Sequence, residues 1–367
     1  MWYDIFMPPR IESNNTIQYA QFIWRYKMKY GKFLQKEGRI GLIAPSFGCN
    51  IEPYRTGLNE AIRRFRDWGY HVCEGPNIYE GKGMGISNTP EACAEEFMDY
   101  YCSEDNDVLI SCGGGELMCE ILPHIDFEQI KSAPPKWFMG YSDNANLTFL
   151  LATIADTASI YGPCAPTFGM ETLHPALEDA FAVLKGEVRT VSNYDGWELE
   201  SLKTEENPIC PFNITEPFEC RCLPDPPVTF SGRLLGGCLD ILSNLRGTRY
   251  DHVREFNRRY KKDGVIWFLE SCDLTVLDIR RALWSLREAG WFDEAKGFLV
   301  GRPYHYGEEL MGLDQYRAVT EILGDLDLPV IMDLDIGHLP PMMPLVTGSK
   351  ATVYAEADGI RIDMEYV

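Results

Sequence analysis

From residue 39 onward, apolar and polar positions fall into short alternating runs. Residues 40–44 are wholly apolar and are stopped by Pro45-Ser46-Phe47-Gly48, which predicts a buried strand ending in a turn. Residues 53–68 carry Leu58, Ile62 and Phe65 at helical spacing, with Gly69 just past the end. A short strand over 70–73 and a glycine-rich loop over 75–88 follow. Thr89 is a natural N-cap and Pro90 suits the first turn of a helix running to about 101. Residues 108–112 form the next strand, ending at Gly113-Gly114-Gly115, and 116–122 reads as helical. Apolar Trp137-Phe138-Met139 is another strand; a helix over 146–154 and a strand over 159–162 complete the series. Strands and helices alternating in this way predict a parallel sheet covered on both faces.

The pattern changes at 163–227, which is irregular and rich in Pro, Glu and Asn, with one clear helix over 174–184. From 228 it resumes: strands over 230–235, 265–269, 297–300 and 329–332, and helices over 239–245, 275–289 and 313–323. Three short strands (345–347, 351–355 and 360–364) end the chain. The predicted organisation has four parts. Residues 1–38 are an extension with an aromatic-rich helix over 16–30 (Ile17, Ala20, Ile23, Trp24). Residues 39–165 form a parallel-sheet α/β domain with a nucleophile elbow, and 166–227 a connection over a cleft. Residues 228–367 form a mixed α/β domain whose tail suggests a small barrel-like sheet.

Candidate chemistry collects at strand ends, where parallel sheets bind ligands. After Trp137-Phe138-Met139 come Gly140-Tyr141-Ser142-Asp143 and then a helix, an arrangement that can present a hydroxyl from a backbone corner. The helix N-terminus behind it offers free N–H groups to an oxyanion. Ser142 as a simple helix cap is the competing reading, and on local sequence both stand. Gly113–Gly115 matches neither a dinucleotide nor a P-loop spacing; it is either a tight turn or a close backbone approach to a substrate carbonyl. Among six histidines, His124, His174 and His252 sit in polar or helical contexts and His71 in an apolar strand. His305, between Tyr304 and Tyr306, suits a pocket. His338 follows a strand end in Asp335-Ile336-Gly337-His338, and Glu270 ends the 265–269 strand, where a charge is costly unless paired. Ser, Glu and His at three strand ends are the parts of a nucleophilic triad.

Composition narrows the partners. The 367-residue chain has a formal net charge of -21, which disfavours nucleic acid and anionic membranes. Its twelve cysteines are scattered, with no Cys-x-x-Cys, and read as free thiols of a cytoplasmic protein. No Cys/His group has metal-ligand spacing, so neither metal nor cofactor is expected. No run is long and apolar enough for a signal peptide or a membrane span. Phe168, Tyr194 and Trp197 in the connection either wall a pocket or anchor a small core; the core reading is preferred.

Several stretches together resemble the LD-carboxypeptidase family of serine peptidases, which includes muramoyltetrapeptide carboxypeptidases and microcin C immunity peptidases. They are Ile43-Ala44-Pro45-Ser46, Gly113-Gly114, Leu122-Pro123-His124-Ile125-Asp126, 135–143 ending in Gly140-Tyr141-Ser142-Asp143, and Gly162-Pro163. In the second half they are Gly232 to Gly237, Phe268-Leu269-Glu270, and Gly337-His338 before Pro340-Pro341. The resemblance covers about 29–367. It implies Ser142 as nucleophile, His338 as general base, Glu270 as its partner, and backbone N–H groups of Asp143 and of Gly113 or Gly114 as oxyanion donors. It further implies a Ser-His-Glu peptidase working in the cytoplasm on L,D-peptide bonds of muropeptides, as a homodimer. The alternative substrate is a peptidyl- or aminoacyl-nucleotide amide; a non-catalytic peptide-binding protein is the reading from another class. Departures from the family's pattern fall at Cys112, Glu116 and Cys238, beside positions that border substrate. Glu116, Phe168, Trp197 and Gly237 are the expected substrate contacts.

Overall fold

The alternating runs become two open sheets in the computed structural model, which describes residues 27–367. The aromatic-rich helix expected over 16–30 falls almost wholly outside the described residues. The first sheet is laid down by β1 (Arg39–Ile43), α1 (Tyr54–Asp67), β2 (His71–Glu74), α2 (Pro90–Cys102), β3 (Val108–Ser111), α3 (Phe127–Ser132), β4 (Trp137–Gly140), α4 (Ala145–Thr153) and β5 (Ser159–Tyr161). Its parallel order is β2-β1-β3-β4-β5. Every residue of β3 and β4 is buried, as a strand covered on both faces requires. The Thr89 hydroxyl caps α2 by accepting from the Ala92 N–H. Residues 116–122, expected as helical, form instead a 3₁₀ segment at Met118–His124 with Pro123 inside.

The connection supplies α5 (Pro175–Lys185), β6 (Thr190–Ser192), β7 (Gly196–Trp197), β8 (Glu216–Pro217) and β9 (Arg221–Leu223). The C-terminal part follows with β10 (Val228–Cys238), α6 (Leu239–Leu245), α7 (Val253–Arg259), β11 (Val265–Glu270), α8 (Val276–Glu288) and β12 (Ala295–Gly301). Then come the hairpin strands β13 (Glu309–Leu310) and β14 (Leu313–Asp314), α9 (Gln315–Leu323) and β15 (Val330–Leu334). Its core is the parallel set β10-β11-β12-β15, and α8 begins with a capping box between Thr275 and Asp278.

The tail strands β16 (Leu345–Thr347), β17 (Lys350–Glu356) and β18 (Gly359–Glu365) do not make a sheet of their own. β17 and β18 extend the second sheet antiparallel to β10, whereas β16 crosses over and pairs with β5 of the first. That crossing stitches the lobes together. Between them lies α4, apolar on all sides with all nine residues buried, packed on β5, β10, α6 and α7. Residues 27–38, placed with the extension, join the body: Met28 and Leu34 are buried, and the Phe33 ring stacks on Trp137. Among the described residues no helix is long and apolar enough to cross a membrane.

Candidate active site

β4 delivers Ser142. Gly140 packs so closely on Asn144 and Ser111 that a Cβ there would meet them at 2.9–3.1 Å. The backbone then turns sharply, and Ser142 takes φ +63, a left-handed conformation that costs on the order of 1–3 kcal/mol for a non-glycine residue. Asp143 anchors the turn. Its carboxylate accepts from the Ser46 hydroxyl at 2.5 Å, the Met118 N–H at 2.9 Å and the Asn146 side chain at 3.0 Å. Burial pushes its pKa up to about 6 against those hydrogen bonds. The turn after β1, the segment after β3 and the start of α4 are thereby tied to one side chain.

Gly114 comes from the turn after β3. A Cβ on it would stand 2.9 Å from the Ser142 Oγ and 3.8 Å from the Asp143 nitrogen. Its carbonyl accepts from the Phe47 N–H at 2.7 Å. The Gly113 N–H is directed to Ser111 Oγ at 3.4 Å. Those of Gly114 and Asp143 have no acceptor among the described residues, and both border the Ser142 hydroxyl.

The second sheet brings the other two groups. Glu270 ends β11 and is buried; His338 lies on the loop after β15. His338 Nε2 is 2.9 Å from Ser142 Oγ, and its Nδ1 is 2.7 Å from Glu270 Oε2. Tyr141 packs against the imidazole at 5.1 Å. Burial disfavours charge on the His338 ring, but the Glu270 carboxylate outweighs it, with the Cys272 thiol adding, and holds the pKa well above the ordinary imidazole value. Burial likewise pushes the Glu270 carboxyl up, while His338, Tyr161 and Cys238 pull it below its usual range. Each partner thereby favours the charged form of the other.

The loop bearing His338 is held by buried charge. The Arg302 guanidinium pairs with Asp335 and donates to the Asp333 carbonyl at 2.5 Å. The Gln315 amide donates to Asp333 at 3.1 Å, and the Tyr194 N–H to Asp335 at 2.8 Å. Gly337 adopts φ +107, and a Cβ there would meet Glu270 Oε2 at 2.6 Å.

Tyr161 belongs to this assembly and was not singled out from the sequence. Its buried hydroxyl donates to Glu270 Oε1 and accepts from the Ser142 N–H at 3.3 Å. The only sequence signal was its place at a strand end beside Gly162-Pro163.

The expected substrate contacts divide. Glu116 is exposed beside the serine turn, its pKa raised by burial and by Asp273 and Asp240 nearby. Of the other three, Phe168 and Trp197 take the core reading preferred above, and all three are corrected as substrate contacts. Phe168 is fully buried against Phe65 and Phe181. Trp197 is buried between Tyr306 and the Arg302 guanidinium, its indole donating to the Pro217 carbonyl. Gly237 is the close approach of β10 to α4, where a Cβ would meet Ala145 at 3.1 Å and the Tyr161 ring at 3.4 Å. Each is taken up by packing; for the two aromatic rings, complete burial gains more than a place at a wetted surface. His305 and His71 are both exposed, and the His174 ring caps α5 by accepting from the Ala176 N–H.

Comparison with known proteins agrees with this architecture. The family model described as LD-carboxypeptidase N-terminal domain matches residues 40–162, and that described as LD-carboxypeptidase C-terminal domain matches 231–353. The microcin C7 self-immunity protein MccF of Escherichia coli is 26% identical over 319 residues, covering 83% of this chain and 89% of that protein. The murein tetrapeptide carboxypeptidase of Pseudomonas aeruginosa is 21% identical over 306 residues, covering 82% and 88%. In fold, the chain matches MccF in complex with aspartyl sulfamoyl adenosine at a TM-score of 0.76 and 21% identity, over 92% of this chain and 99% of that one.

Proposed function

The chain belongs to the LD-carboxypeptidase family, and from that premise we propose that it is a serine-type hydrolase cutting an amide bond through Ser142, His338 and Glu270. The observation carrying this reading is the continuous contact from Ser142 Oγ through His338 to Glu270, at 2.9 and 2.7 Å. His338 Nε2 takes the hydroxyl proton as Oγ attacks the carbonyl carbon, and the C=O electron pair moves onto oxygen. The N–H groups of Gly114 and Asp143 stabilise that oxyanion. Collapse of the adduct breaks the C–N bond. The amine leaves with the proton returned by His338, and an ester on Ser142 remains. Water, deprotonated by the same imidazole, then hydrolyses the ester. Glu270 holds the tautomer with the proton on Nδ1 and stabilises the imidazolium.

The substrate favoured by family membership and by the murein tetrapeptide carboxypeptidase relative is an L,D-peptide bond of a muropeptide. A second reading, the amide of a peptidyl- or aminoacyl-nucleotide, is favoured by the higher identity to MccF, whose fold counterpart holds aspartyl sulfamoyl adenosine.

The decisive experiment offers the full chain a muramyl tetrapeptide and an aspartyl sulfamoyl adenosine and follows cleavage by mass spectrometry. One of them is expected to be cut. Ser142→Ala and His338→Ala are each expected to lower turnover by roughly 10⁴-fold or more with an unchanged circular dichroism spectrum. Near-normal kcat in either variant sinks the triad.

A further inference from the structure

Between β7 and β8 the connection makes a long loop that joins the two lobes. At its base the Glu198 N–H donates to the Pro340 carbonyl at 2.8 Å, beside the His338 loop. The Glu198 carboxylate accepts from the Asn213 N–H at 2.5 Å, closing the loop on itself. At the far side Ile209 accepts from the Glu171 N–H at 2.7 Å. On this loop stands Lys203, whose Nζ lies 5.3 Å from the Tyr54 ring centre. Its backbone N–H donates to Ser201 Oγ at 3.3 Å, but its ammonium makes no hydrogen bond and no ion pair with any described residue. In a chain with 55 acidic and 34 basic residues, a half-buried ammonium with no carboxylate in direct contact, and only Glu198 acting on it through space, is unexpected, since desolvating a charge without a close partner is costly. Burial lowers its pKa accordingly.

A path leads from the serine to that ammonium. Gly114 abuts the Ser142 hydroxyl, and its carbonyl holds the Phe47 N–H. The Phe47 ring meets Tyr54 edge-on at 5.3 Å, and Lys203 stands over Tyr54. Phe47 is half-buried and Tyr54 is 44% exposed, so an aromatic surface open to solvent runs from the nucleophile to the cation. Glu116 lies within electrostatic reach of His338, with Asp273 and Asp240 close by. A negatively charged substrate entering there needs a compensating cation.

Building on the hydrolase reading above, we propose that Lys203 is the anion-recognising residue beside this site. Its ammonium takes an oxyanion of the substrate lying along the Phe47–Tyr54 surface. Two sources share that chemistry: a peptide carboxylate, or the acidic linkage of a peptidyl nucleotide. The alkyl stem of Lys203 covering Tyr54, with its head merely in water, is the alternative role.

Calorimetric binding to the full chain carrying Ser142→Ala, with and without Lys203→Met, separates them. Four ligands are used: a tetrapeptide acid and its C-terminal carboxamide, and a peptidyl adenosine phosphoramidate and its uncharged methyl ester. The acid or the phosphoramidate is expected to lose about ten- to a hundredfold in affinity with Lys203→Met. Its neutral counterpart should change less than about twofold, and Lys203→Arg should restore binding. Whichever pair responds identifies the source of the anion. Equal loss on charged and neutral ligands, no loss in either pair, or binding of none of the four overturns the proposal. Charge-selective loss without turnover by the Ser142 protein would sink the hydrolase reading and leave Lys203 in place.

Discussion

The turn at Ser142 and the loop at His338 meet in one site but are fixed by different physics. The first is built from neighbouring strand ends of one sheet, and its precision comes from backbone. Ser142 is held at φ +63, and Gly114 touches its hydroxyl. The second reaches the site from β15, with β12 lying between it and the β11 strand that carries Glu270. Its precision comes from buried polar pairing, Arg302 with Asp335 and Gln315 with Asp333. A glycine guards each side, Gly114 against Ser142 and Gly337 against Glu270. A short-range device thus places the proposed nucleophile, and a long-range one places the proposed base.

The sharpest break of this pairing is Glu270→Gln. Without the carboxylate, kcat should fall by roughly 10⁴-fold. The pH profile gives the sign: Glu270 raises the His338 pKa, only the neutral imidazole accepts the serine proton, and activity therefore rises with pH through that raised value. The ascending limb of the wild-type protein should lie above the ordinary imidazole pKa of about 6.5, and Glu270→Gln should move it to lower pH. A limb unmoved by the substitution would show that the carboxylate does not set it.

Next come the two glycines. Gly337→Ala adds strain at φ +107 as well as a clash with Glu270, and should cost about 10³-fold in kcat/KM with a lower Tm. Gly114→Ala carries no such strain and presses only on the hydroxyl; a loss of about 10²-fold with near-normal Tm is expected. Equal effects on Tm would erase the distinction between the two sides. The smallest effect belongs to Tyr161→Phe, which removes the hydroxyl joining Glu270 to the Ser142 N–H. About a tenfold loss in kcat with little change in KM is expected; a change in KM alone would place Tyr161 outside the positioning of the triad.

Most element positions were legible because each depends on its own few residues. The helix over 239–245 coincides with α6, and Thr89 caps α2 as its place before Pro90 requires. Strand ends were legible for the same reason, and with them Ser142, Glu270 and His338. The aromatic residues were harder to place: Phe168 and Trp197 sit in irregular sequence, where no period tells a core ring from a pocket wall. The tail was misleading in another way, since three short strands carry no sign of which sheet they will join.

By itself, the sequence determined the alternation of strands and helices, the strained corner at Gly140-Tyr141-Ser142-Asp143 and the free thiols and acidic surface. Torsional preference, side-chain period and charge are properties of adjacent residues. Tertiary structure alone decided that His338 meets a serine 196 positions away and a glutamate 68 positions away, that Tyr161 links the last two, and that the Lys203 ammonium stands over Tyr54 without a direct ion pair. Those outcomes depend on how two sheets pack across α4 and on which polar groups lose their water in doing so, and no local stretch of the chain encodes that.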